Sequence, residues 1–489
     1  EDSDFEFESL EASLNSTMKT TNSAAKLIAK NLNVHVREAQ YAVRGAIVQR
    51  SMELQKKLAE GNKLAFDSVI SCNIGNPQAL NQKPLTFLRD VLSLVLNPSL
   101  MDRDTTGIFK EDVRQRASKY TNATPSVGAY SESQGLAVVR EEVADFLGRR
   151  DGIAGDPSSI FLTNGASDGV RLCMQTIIRD PHQEGSPRDG ILVPIPQYPL
   201  YSALSTLTQA ELIPYYLDEG KGWQVIYTLL RVSASRHFFF PRLGTVSQWY
   251  MPLFQLLAHS LSSTLSTTLS SQCPRSALEA AADNAAARGV SIRGLVVINP
   301  GNPTGQVLPR DNVADLVDFC RERGICLMAD EVYQENIYKH GAEFVSFRKV
   351  AYENGAFEGP EDGRLALISF HSISKGFLGE CGLRGGYFEL LGIDPEVKAE
   401  ISKLASISLC SNLPGQIATG LMTNPPVSGE PSFDQYQGEK EAILSSMKRR
   451  AERVSAALNA LEGVSCNPIE GAMYAFPTIS LSASAQAEA

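Results

Sequence analysis

The sequence predicts an α/β fold: a large, mostly parallel β-sheet with helices on both faces, followed by a smaller α+β unit. Three observations carry that expectation. Short apolar runs bounded by turn residues alternate with longer amphipathic stretches through the middle of the chain, the pattern of βαβ units. Beyond Pro395 the periodicity turns helical, with short strands only near Val464 and Met473. Composition is that of a folded chain: 43% of the 489 residues are hydrophobic and 20% charged, which excludes disorder, collagen and disulfide-rich scaffolds.

Taken in order, apolar residues recur at helical spacing from Arg37 to Glu60, with Val43, Ile47, Leu54 and Leu58 on one face, and Gly61 ends the run. Ile160–Thr163 reads as a strand and Ala166–Ile178 as the helix after it. Ile191–Ile195 is the next strand, followed by a helix from Tyr198. Strands at Leu295–Asn299, Ile325–Asp330 and Ala366–Phe370 then surround a helix at Arg310–Arg323. The tail holds helices at Pro395–Leu409 and Tyr436–Leu461. These elements divide the chain into a leader (1–36), an N-terminal helix and segment (37–109), a large domain (110–390) and a smaller domain (391–489), of which the resemblance described below implies that 37–109 carries a substrate-side segment and that 391–489 is incomplete.

Two stretches do not fit this pattern. Glu1 to Glu11 carry six acids, yet none follows until Glu38, while Lys19, Lys26, Lys30 and Arg37 are basic. Read from Met18, that stretch suits a weak mitochondrial presequence; read whole, it suits a disordered polar leader. Between Glu219 and Glu279 there is no acid at all. The most apolar part of that segment, Trp249 to Ala258, contains Pro252 and is too short to span a bilayer, so 224–275 reads as an insertion foreign to the surrounding fold.

Charge narrows the function. A net charge of −10 argues against a dedicated binder of nucleic acid or anionic membrane. Six scattered histidines give no metal-ligand cluster, and eight cysteines without a CxxC pair read as buried thiols in a reducing compartment.

In α/β sheets ligands gather at the carboxyl ends of strands. Here those positions hold Asn164-Gly165-Ala166-Ser167, Pro196-Gln197-Tyr198, Asn299 to Gly305, Asp330 to Tyr333, and Ser372-Ile373-Ser374-Lys375. The set supplies a phosphate cradle, an aromatic platform, hydrogen-bond donors, a carboxylate and a lysine, which is what holding pyridoxal phosphate requires. Lys375 is the expected nucleophile, forming a Schiff base with the cofactor aldehyde. Asp330 is expected to pair with the protonated pyridine nitrogen, so that the ring can absorb electrons released at the substrate Cα. Tyr333 and Asn302 suit the phenolic oxygen, and Tyr198 suits the ring face. Ala166 and Ser167 open a helix whose N–H groups face an anion, with Ser372, Ser374 and Arg384 adding hydroxyls and a guanidinium. Each signal alone is weak; their order at successive strand ends is not.

These residues also resemble a family. Asn299-Pro-Gly-Asn-Pro-Thr-Gly-Gln306, Ala329-Asp-Glu-Val-Tyr-Gln-Glu335, Ser372-Ile-Ser-Lys-Gly376 and Gly379-Glu-Cys-Gly-Leu-Arg-Gly-Gly-Tyr387 are similar to the alanine aminotransferases, fold type I enzymes that use pyridoxal phosphate. Cys72-Asn-Ile-Gly-Asn-Pro-Gln78, Gly128-Ala-Tyr-Ser131, Ile195 to Tyr201 and Glu470-Gly-Ala-Met-Tyr474 extend the resemblance from about Arg37 to Pro477. It implies exchange of an amino group between L-alanine and 2-oxoglutarate by a ping-pong route, in a homodimer with each site at the subunit boundary. It further implies that Tyr130 reaches the partner's phosphate and that Gly75 and Asn302 lie by the substrate. Two departures accompany it: some 50 extra residues, Gln224 to Arg275, and an end at Ala489 before the family's carboxylate-binding arginine. An intact cofactor site and an incomplete substrate site are the expectation. Glutamate:glyoxylate aminotransfer and a catalytically impaired, cofactor-binding product are the alternatives.

Overall fold

The computed structural model describes residues 28, 32–41, 45–72, 75–103, 107–180, 187–223 and 277–488. The expectations for the leader up to residue 27 and for the insertion 224–275 lie outside the described residues.

Seven strands form the central sheet: β1 (Ile160–Thr163), β2 (Arg188–Ile195), β3 (Glu211–Tyr216), β4 (Val290–Ile298), β5 (Cys326–Asp330), β6 (Leu367–Ser372) and β7 (Gly386–Leu391), in the order β1-β7-β6-β5-β4-β2-β3. Six run in the same direction; β7 alone runs against both its neighbours, β1 and β6. Buried on both sides, the central strands read as continuous apolar runs. Their residues alternate between two cores, as a pleat of period two demands. Leu295, Val297, Leu327 and Ala329 join the core beneath helices Ala277–Ala287 and Arg310–Arg323. Val296, Ile298, Cys326 and Met328 join the core beneath helices Ala166–Ile177 and Leu200–Thr208. A third core gathers helices Thr86–Leu96, Glu111–Ala123, Ala137–Asp151 and Leu413–Thr423.

The expected strands and helices of the middle all form, within a few residues at their ends. Three expectations need correction. The helix expected from Arg37 begins only at Ala46, because the chain turns extended at Ala39 after the short helix Val34–Glu38 and Gly45 sits outside the next helix as its cap. No strand forms at Met473; Gly471 makes a single bridge to Ile337, and the short strand β8 (Val464–Ser465) pairs instead with β9 (Thr478–Ile479). Not every cysteine is buried: Cys72 is exposed, and Cys381 and Cys410 are half-buried. Among the described residues no helix is long and apolar enough to cross a membrane.

Candidate active site

The register assembles one edge of the sheet. Ile298 at the end of β4 pairs with Asp330 at the end of β5, and Asp330 pairs with Phe370 two residues before β6 ends. Because β7 is antiparallel to β1, Thr163 at the end of β1 faces Gly386 at the start of β7. The loop before β7 therefore delivers Arg384 to the same edge that receives Gly165, Asn302, Tyr333 and Lys375.

Asp330 is buried. One carboxylate oxygen, Oδ2, accepts a 2.7 Å hydrogen bond from the Tyr201 hydroxyl, while Oδ1 is buried with no partner. An orphaned buried oxygen costs roughly 1–3 kcal/mol unless a donor arrives. Burial pushes the Asp330 carboxyl above the usual range, and the Tyr201 hydroxyl, the Val332 amide and the charge of Lys375 pull it back. Tyr333, also buried, shares a 2.7 Å hydrogen bond with Tyr474, and Asn302 Nδ2 lies 3.5 Å from the Tyr333 oxygen. Tyr198 shares a 2.7 Å hydroxyl contact with Tyr41.

A second group of residues forms an anion cradle. Helix Ala166–Ile177 starts at Gly165, whose φ is +86°, and no side chain caps its first N–H groups. Arg384 donates through Nη2 to the Asn164 carbonyl at 2.8 Å and to Ser167 Oγ at 3.3 Å, and through Nη1 to Ser374 Oγ at 3.3 Å. The Ser374 amide donates to Ser372 Oγ at 3.0 Å. A Cβ on Gly165 would lie 2.5 Å from Arg384 Nη2, so this approach is open only to glycine. The open helix terminus, guanidinium and hydroxyls suit a phosphate, and the orphaned Asp330 Oδ1 suits a protonated ring nitrogen. The residues present therefore fit pyridoxal phosphate.

Lys375 Nζ donates to the Gly75 carbonyl at 3.3 Å. A Cβ on Gly75 would lie 3.0 Å from Tyr474 Oη and 3.5 Å from Lys375 Nζ, so the Gly75 backbone packs directly on the lysine. The turn Asn299 to Gly305 holds the loop bearing Tyr474, since the Gly305 carbonyl accepts from the Glu470 and Gly471 amides at 3.0 and 2.8 Å. The structure thus brings together Ala166, Ser167, Tyr198, Asn302, Asp330, Tyr333, Ser372, Ser374, Lys375, Arg384 and Gly75. Tyr130 is 77% exposed and has no hydrogen bond to these residues among the described contacts.

Sequence reasoning assigned no role to Tyr201, Tyr474 or Tyr41. Tyr201 follows Tyr198 at i+3, a spacing that places both on one side of a starting helix, and this signal was present. Tyr474 lies within the Glu470–Tyr474 run. Nothing local marks Tyr41, which meets its partner across 157 residues.

Behind this edge lies a buried ionic layer. Glu331 accepts from the Phe347 amide at 2.9 Å and Ser369 Oγ at 2.8 Å, with Arg150 Nη1 at 4.0 Å. Burial lifts its carboxyl to about 7 despite Arg150. Burial, with Arg150 nearby, drives His371 down to about 3, so its ring is neutral.

The family model described as aminotransferase class I and II matches residues 94–233 and 266–489, breaking off within the acid-free segment. The chain is 46% identical over 463 residues to a Dictyostelium discoideum protein named "Probable alanine aminotransferase, mitochondrial", covering 93% of this chain and 76% of that one. It is 42% identical to the Arabidopsis thaliana glutamate–glyoxylate aminotransferase 2, covering 92% and 81%. In structure it resembles the alanine aminotransferase of Pyrococcus furiosus with a TM-score of 0.61 at 21% identity, covering 92% and 85%.

Proposed function

The chain belongs to the class I and II aminotransferases, and from that membership we propose that it moves an amino group between L-alanine and 2-oxoglutarate, giving pyruvate and L-glutamate. The observation that carries this reading is the single strand-end edge on which Lys375, Asp330 and the Arg384 cradle converge, in a chain 46% identical to a relative named for alanine.

Pyridoxal phosphate, when bound, supplies a carbonyl carbon that takes up the amino group and a ring that accepts the electron pair left at the substrate Cα. This chain's residues do the rest. Arg384, Ser167, Ser372, Ser374 and the amides from Ala166 would hold the phosphate. Asp330 would hold the ring nitrogen, Asn302 and Tyr333 the phenolic oxygen, and Tyr198 would take the ring face. Lys375 anchors the cofactor, then as a free amine takes the proton from the substrate Cα and returns one to the product, a general base and acid in turn. Gly75 lines the substrate side with Asn302.

The exposed Tyr130 supports a homodimer in which that side chain crosses to the partner's phosphate. The division at residues 110 and 390 into large and small parts, and a cytoplasmic or mitochondrial location, belong to the same reading. The 42% identity to a glutamate–glyoxylate enzyme keeps a second acceptor in view.

The test uses the purified chain with pyridoxal phosphate. L-Alanine with 2-oxoglutarate should give pyruvate and glutamate faster than L-glutamate with glyoxylate gives glycine. The reverse ranking moves the assignment to the second reaction, and no transfer by either pair overturns the reading.

A further inference from the structure

We propose that Tyr201 is a positioning residue for the amino transfer: its hydroxyl fixes the Asp330 carboxylate through one oxygen so that the other is held free for the ring nitrogen of the cofactor. The inference rests on the function proposed above and goes beyond it.

Three observations support it. The Tyr201 oxygen lies 2.7 Å from Asp330 Oδ2, and Tyr201 is fully buried. Tyr201 belongs to the same buried core as Ile191, Val193, Val296, Ile298 and Met328, and a fully buried ring leaves its hydroxyl little freedom to turn elsewhere. Asp330 Oδ1 is buried without a partner, which makes the carboxylate asymmetric: one oxygen is spoken for by the protein and one is left. Without the Tyr201 hydroxyl only the Val332 amide would hold the carboxylate, which could then rotate about its Cβ–Cγ bond or give up its charge in so dry a place.

The direction of proton sharing follows. Burial and the neighbouring Asp330 push the Tyr201 hydroxyl well above the ordinary tyrosine value, so it keeps its proton and donates. Its bond lowers the Asp330 carboxyl, against the burial that raises it. Lys375 acts in the same direction, while Tyr198 and Tyr333 also sense Asp330. Removing the Tyr201 hydroxyl therefore leaves a carboxyl that is both less oriented and more readily neutral, the wrong partner for a protonated ring. Tyr198, three residues earlier, works on the ring face; Tyr201 works on the ring edge through Asp330.

The experiment is a double-mutant cycle on the full chain: wild type, Tyr201→Phe, Asp330→Ala and the pair. For each, the dissociation constant for pyridoxal phosphate is measured by fluorescence, and kcat and KM for L-alanine with saturating 2-oxoglutarate. Tyr201→Phe should weaken cofactor binding and lower kcat, each by roughly tenfold, the scale of one hydrogen bond to a charged group, with KM little changed. Added to Asp330→Ala, it should change neither value, since the carboxylate it acts through is gone. A wild-type cofactor affinity and kcat in Tyr201→Phe would overturn the inference. So would losses that multiply fully with those of Asp330→Ala, because Tyr201 would then act through packing. Should Tyr201→Phe alone not fold, the pair is compared with Asp330→Ala: equality supports the proposal and a further loss overturns it. Wild type that neither binds the cofactor nor turns over L-alanine defeats the functional reading itself, an outcome separate from a working wild type with a silent Tyr201→Phe.

Discussion

The two walls of this site are built in opposite ways. On one, Asp330, Ser372 and Ser374 end or follow β5 and β6, are buried, and are tied by Tyr201, Arg384 and backbone groups. On the other, Gly75 lies outside any helix or strand, Cys72 nearby is exposed, and among the described residues the Gly75 carbonyl is held by Lys375 Nζ at 3.3 Å and Cys381 Sγ at 3.8 Å. In the proposed reading, groups that must keep their place stand on strand ends, and the group on the substrate side stands on chain free of ladder bonds.

The contrast can be tested from its strongest consequence downward. Lys375→Ala removes the one amine shared by both walls and should cut pyruvate formation from L-alanine by roughly 10⁴-fold or more. More than a tenth of the wild-type rate in that variant would put the reacting amine elsewhere. Glu331→Gln probes the buried side of the rigid wall. The folded carboxyl titrates near 7, raised by burial, while an unfolded one titrates near 4.5. The folded chain thus holds an extra proton between those values, and stability falls as pH rises through them, by at most about 3 kcal/mol at 1.36 kcal/mol per unit. Urea unfolding at pH 5 and pH 7.5 should show that slope flattened in Glu331→Gln; an unchanged slope assigns it to another group. Gly165→Ala places a Cβ 2.5 Å from Arg384 Nη2 at a φ of +86°. It should weaken pyridoxal phosphate binding by about tenfold, through strain of roughly 1–3 kcal/mol and a displaced guanidinium. Gly75→Ala meets Tyr474 Oη at 3.0 Å on the looser wall. There the chain can give, so KM for L-alanine should rise only about threefold to fivefold, with cofactor affinity unchanged. If the two glycine variants cost the same, the walls are equally rigid and the comparison fails.

The rigid wall was also the more legible one. Strand ends are short apolar runs followed by Asn, Asp, Ser or Gly, and in an α/β sheet that alone places Gly165, Asn302, Asp330 and Lys375 on one edge. Which side chain satisfies which is decided by packing across long separations. Tyr201 meets Asp330 across 129 residues, and no spacing rule reaches so far. Strands β3 and β7 were missed for a different reason. Pro214 interrupts the first, and the Gly386–Leu391 run, Gly-Tyr-Phe-Glu-Leu-Leu, lies close behind turn-rich sequence that masked its start. At the N-terminus a helical apolar period continued through Gly45, and the period outweighed the breaker in the sequence although not in the fold.

The position of β3 at the far margin of the sheet, beyond β2, has a consequence for chain length. Among the described residues only one side of β3 is paired, and the sequence between Trp223 and helix Ala277–Ala287 follows it. Added residues at such a margin break no ladder between strands. Closing a loop grows dearer only with the logarithm of its length, about 0.6 kcal/mol for each doubling, so lengthening a short link there to some fifty residues asks roughly 2 kcal/mol in chain entropy. The same insertion within β5 or β6 would break their paired register and shift Asp330, at the end of β5, relative to Lys375, three residues beyond the end of β6, the two groups that the proposed reaction needs side by side. The margin is where this sheet can tolerate novelty, and the catalytic edge is where it cannot.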